Sequence, residues 1–74
     1  MINWNLLEKI ISIITSRYRD KALLSDYWGL VDGYQARNEY QVVYHLFEIV
    51  KALVRSDVND PELYDLVDKA VIPS

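Results

Sequence analysis

The chain has no cysteine, two glycines, two prolines and one histidine in 74 residues. Without thiols it can form neither a disulfide staple nor a thiolate metal site. Their lack fits a reducing compartment. The two glycines, Gly29 and Gly33, form neither a phosphate-cradling loop nor a dinucleotide fingerprint, and no serine sits in a Gly-x-Ser-x-Gly elbow. Unbroken apolar runs are only a few residues long, far short of the ~20 that span a bilayer. The opening MINWNLLEK carries no basic segment ahead of its apolar residues and does not read as a signal peptide. The expectation is a cytoplasmic protein with no membrane segment.

Basic charge is also scarce. Eight Lys and Arg stand against eleven Asp and Glu, for a net charge of −3. Residues 1–37 carry five basic and four acidic side chains (+1), whereas residues 38–74 carry three and seven (−4). Phosphate binding needs clustered cations, which are lacking, so nucleic acid is disfavoured as a partner. The acids Asp57, Asp60, Glu62, Asp65 and Asp68 crowd one region and suit a basic protein partner, by steering more than by affinity.

What the chain does have is apolar periodicity: 51% of its residues are hydrophobic. Asn38–Arg55 is the clearest case. Tyr40, Val42, Val43, Leu46, Phe47, Ile49, Val50, Leu53 and Val54 cover about half of a helix at ~100° per residue. Gln41, His45, Glu48, Lys51 and Arg55 fill the other half. Asn38 with Gln41 forms a capping box.

Three more helices are expected. The first runs from Trp4 to Tyr18 with Leu7, Ile10, Ile11, Ile14 and Tyr18 in one stripe. Asn5 with Glu8, or else Asn3, caps it. The second runs from Asp20 or Lys21 to Tyr34 with Leu23, Leu24, Tyr27, Leu30, Val31 and Tyr34 inward. Its stripe is out of phase with the first by about a third of a turn, so the chain should break near Arg19–Asp20, with Asp20 as cap. Gly29 is read as a point of close approach beside a core Trp28, and Gly33 as part of the C-terminal turn. The fourth starts at Asp60-Pro61-Glu62, acid at the cap and proline first, and buries Leu63, Leu66, Val67, Ala70 and Val71 until Pro73 stops it. Short loops imply antiparallel neighbours. The fold expected for residues 1–74 is one all-α domain, a small up-and-down bundle of about four short helices. An orthogonal arrangement is the alternative.

Residues 27–50 resemble a tetratricopeptide helix pair in the spacing of Tyr27, Leu30, Tyr34, Tyr40 and Phe47, with Asn38 at the turn. The pattern departs where that family is small, at Val31, Val43 and Val50, and its proline would fall at Arg55 rather than Pro61. The resemblance covers about a third of the chain. It implies peptide or protein binding on a concave helical face and does not imply an enzyme, and it is not adopted as an identification.

Catalysis and metal binding find little footing. His45 is the only histidine, and Glu48 and Gln41 beside it are what any exposed helix face offers. It is read as a surface residue. The acids from Asp57 to Asp68 lack an EF-hand's loop glycine and terminal glutamate, and Pro61 interrupts them. No enzyme, metal or cofactor is expected. The second and third helices could be drawn as a helix-turn-helix, but Glu39 and Glu48 would then repel phosphate.

These readings converge on a non-enzymatic, acidic protein-binding module of inhibitor, immunity or adaptor type. Its contact surface is expected at Tyr44, His45 and Glu48 together with Asp57, Asp60, Glu62, Asp65 and Asp68. A homodimeric assembly subunit is the alternative, and a nucleic-acid regulator the second. The apolar face of Asn38–Arg55 is assigned to the core.

Overall fold

A computed structural model describes residues 1–71, so the stop expected at Pro73 lies outside the described residues. Among them are four helices and no strand: α1 (Trp4–Arg17), α2 (Leu24–Ala36), α3 (Glu39–Arg55) and α4 (Pro61–Val71). The expected all-α bundle is what forms. Each helix gives the core one apolar face at i, i+3/i+4 and i+7 spacing. These are Leu7, Ile10 and Ile14 from α1; Tyr27 and Leu30 from α2; Val42, Leu46, Ile49 and Leu53 from α3; and Leu63, Val67 and Ala70 from α4.

Contacting neighbours are antiparallel. Early α1 meets late α2 where the Tyr34 hydroxyl donates to Glu8, and late α1 meets early α2 where Thr15 and Tyr27 share a hydrogen bond. Likewise Arg17 and Tyr18 meet Asp60 at the start of α4, while the Asn3 N–H donates to the Ala70 carbonyl at its end. Short connections leave each helix little choice but to fold back.

Caps fix the boundaries. The Asn3 side chain accepts from the Leu6 N–H, so Asn3 caps α1 and the Asn5–Glu8 alternative falls away. Asn38 caps α3 by accepting from the Gln41 N–H. The reciprocal half of that capping box is absent, because the Gln41 side chain instead donates across to the Gly29 carbonyl at 2.9 Å. Asp60 caps α4 through the Leu63 N–H.

The start of α2 differs from expectation. Tyr18 leaves the helical conformation, and its carbonyl accepts from both Lys21 and Ala22, so residues 18–23 turn instead of starting a helix. Asp20 caps nothing. Leu23 stands at the cap with no side-chain hydrogen bond, and Leu23 and Leu24 point outward, 67% and 63% exposed. Trp28, expected in the core, is 47% exposed. Its indole meets Tyr27 edge-on at 5.1 Å, with the Arg19 guanidinium 5.7 Å from the ring centroid.

Candidate interaction surface

The packing of α2 on α3 decides which parts of α3 remain open. Gly29 and Gly33 lie one turn apart on the face of α2 toward α3. A Cβ on Gly33 would sit 3.0 Å from Val42 Cγ2 and 3.2 Å from its backbone N; one on Gly29 would clash with the imidazole of His45, 2.5 Å from Cδ2 and 2.6 Å from Cε1. Both glycines therefore serve close approach. Gly33 is not the left-handed residue of the C-terminal turn; that role falls to Arg37, at φ 54°. The Arg37 N–H donates to the Tyr34 carbonyl and the Asn38 N–H to that of Gly33, the paired bonds of a Schellman motif.

This approach takes in the face of α3 that the sequence marks as polar. His45 Nδ1 lies 2.9 Å from the Asp26 carboxylate, and the two side chains are only 23% and 14% exposed. His45 is thus not the solvated surface residue expected; α2 covers it and Asp26 orients it. No signal in the sequence links positions 26 and 45. Glu48 pairs with Lys51 one turn on. The hydrogen bond from Lys51 holds the Glu48 carboxyl below the usual range against the effect of burial, helped by the charges of Lys51 and Arg55.

The acids divide. Asp60 is buried, 8% exposed, and its carboxylate accepts from the Tyr18 hydroxyl at 2.5 Å, the Leu63 N–H at 3.1 Å and Arg17 at 3.3 Å. It is spent on joining α1 to α4 and leaves the candidate surface. Glu62 is exposed and reached by Arg17 at 3.5 Å, and Asp65 pairs with Lys69 at 2.9 Å. Asp57 and Asp68 are exposed, Asp57 in the left-handed conformation at φ 58°. The structure therefore does not gather the eight expected residues into one patch.

What stands open on α3 is a different stripe. Tyr40, Tyr44, Phe47 and Val54 are 83%, 55%, 43% and 58% exposed, and Lys51, 58% exposed, lies in line with them. Their spacing of i, i+4, i+7, i+11 and i+14 runs straight along a helix. Val43 and Val50 flank the stripe half-buried. At its N-terminal end Met1, Ile2, Glu39, Tyr40, Val43 and Val71 line an open groove. Of the expected contacts, Tyr44 alone belongs to this stripe. The reading of the whole apolar face of α3 as core is corrected: Val42, Leu46, Ile49 and Leu53 are core, while Tyr40, Phe47 and Val54 face out. The signal was the width of the stripe, since half a circumference exceeds what one core seam uses.

Among the described residues no three His, Asp or Glu are arranged to hold a metal ion, and no helix is long and apolar enough to cross a membrane. Compared with protein-family models, curated proteins and solved structures, the chain matches none.

Proposed function

We propose that this chain is a non-enzymatic protein-interaction module whose contact surface is the open stripe of α3. One observation carries the reading. Three large aromatics, Tyr40, Tyr44 and Phe47, stand in solvent on a capped helix whose other apolar face already fills the core. Monomeric proteins seldom leave such side chains in a contiguous row, and tyrosine is among the residues that carry interface energy. The reading covers inhibitor, immunity-type and adaptor roles and places the work in the cytoplasm, a compartment that suits a cysteine-free chain. The exposed acids Asp57, Glu62, Asp65 and Asp68 would steer a partner with a basic rim.

Phe47→Glu tests it. Phe47 is 43% exposed and lies outside the buried core cluster, so helicity should hold while association with any captured protein falls at least tenfold. Capture at moderate salt from the native cell, unchanged by Phe47→Glu and by Tyr40→Ser, would overturn the reading.

A further inference from the structure

We infer that the partner of the α3 stripe is a second copy of this chain, docked antiparallel about Phe47; this rests on the interaction reading above and names its partner. Phe47 is the midpoint of the 17-residue helix. Tyr40 lies seven residues before it and Val54 seven after, so a twofold axis at Phe47 sets each Tyr40 on the other copy's Val54. Tyr44 lies three before and Lys51 four after, so each Lys51 meets the other copy's Tyr44 within one residue of register. A closed two-copy assembly requires such self-complementarity.

Lys51, the one charge in the stripe, selects the direction. Parallel packing would set Lys51 against Lys51 inside an apolar seam, two like charges losing water together. Antiparallel packing sets each ammonium on a tyrosine ring, within reach of a cation–π contact at ~6 Å or less. Glu48, paired with Lys51 in the same helix, accompanies that charge into the seam's edge. The half-buried Val43 and Val50 widen the seam on the side opposite Glu48. A pair of helices of this length, about 25 Å each, buries less than the about 800 Å² per partner of a standard interface. An interface below that size falls among weak, transient contacts, with monomer and dimer in exchange.

Sedimentation equilibrium from low micromolar to millimolar protein tests the inference on the full chain. A concentration-dependent dimer is expected, and Phe47→Glu, which sets two carboxylates on the axis, should return a monomer of unchanged helicity. A chain without cysteine also permits clean cross-linking. A mixture of Tyr40→Cys and Val54→Cys should form the mixed disulfide, because antiparallel packing brings those positions together, while Tyr40→Cys alone should not bond to itself. A strict monomer to millimolar concentration, a dimer indifferent to Phe47→Glu, or self-bonding of Tyr40→Cys would each overturn the inference. If the chain is monomeric yet Phe47→Glu abolishes capture of another protein, only the second-copy assignment falls. If Phe47→Glu alters neither self-association nor capture, the interaction reading falls with it.

Discussion

The imidazole of His45 occupies the space that a side chain at position 29 would take: a Cβ on Gly29 would lie 2.5 Å from its Cδ2. The ring is held there by Asp26, and the glycine is what admits it. Gly29→Ala sets two effects against each other. Alanine improves helix propensity by ~1 kcal/mol, but it drives the ring off Asp26 and overpacks the joint, costing about 1–3 kcal/mol. The net expectation is destabilisation. In a His45→Ala background the clash is gone, and the same Gly29→Ala change should stabilise by up to ~1 kcal/mol. Urea denaturation of the four proteins in this cycle reads the sign change; equal effects in both backgrounds would contradict the geometry.

The two apolar faces of α3 should separate cleanly under mutation. Leu46 is fully buried, and Leu46→Ala is expected to cost about 2–5 kcal/mol. Tyr40 is 83% exposed, and Tyr40→Ser should change stability by no more than about 0.5 kcal/mol. Thermal melts at low protein concentration, where self-association does not contribute, distinguish the two. A large loss at Tyr40 would place it in the core after all.

That division was only half legible in the sequence. Periodicity located α1, α3 and α4 to within a residue or two because their caps, Asn3, Asn38 and Asp60, carry side-chain oxygens that accept from the first-turn N–H groups. It misplaced the start of α2 because nothing local marks it: Leu23 and Leu24 continue the apolar spacing but face solvent, and Tyr18, pinned by Asp60 forty-two residues away, decides where the turn falls. The same limit hid the His45–Asp26 pair. Periodicity says which residues share a face of a helix, and it does not say which faces find a neighbour.

Among the described residues, both left-handed positions that follow a helix hold side chains where glycine is the usual choice. Asp57 follows α3, with the Val58 N–H donating to Leu53 and its own to Val54. Its side chain is exposed and makes no hydrogen bond among the described residues, so Asp57→Gly should relieve the strain and stabilise by about 0.5–1 kcal/mol. Arg37 holds the equivalent place after α2, but its guanidinium lies 4.6 Å from the centroid of the Tyr34 ring and 5.1 Å from that of Trp4, and donates to the Tyr34 carbonyl. Arg37→Gly forfeits those contacts and should gain nothing. Differential scanning calorimetry of both variants checks the contrast; a higher melting temperature for Arg37→Gly would show that the stacked guanidinium contributes little.

The bond between Tyr18 and Asp60 also sets the pH range of the fold. The Tyr18 hydroxyl, the Leu63 N–H and Arg17 together hold the Asp60 carboxyl below the usual carboxylate range, against the effect of burial. The folded chain therefore binds fewer protons than the unfolded chain in acid. The stabilisation is present above the unfolded value of about 3.9 and is lost as pH falls through the folded one. At the other end, the hydrogen bond to Asp60 and burial raise Tyr18, and burial followed by the Asp60 charge raises Tyr64. Stability from the tyrosines is full below about pH 10 and is lost as pH rises through their folded values. Tyr18→Phe should weaken both limbs at once. Asp60→Asn, which still caps α4, should flatten the acid limb, leaving the smaller, salt-screened contribution of the Glu48–Lys51 pair. Urea midpoints across the pH range provide the measurement. An acid limb that Asp60→Asn leaves unchanged would mean that other carboxylates govern the acid transition.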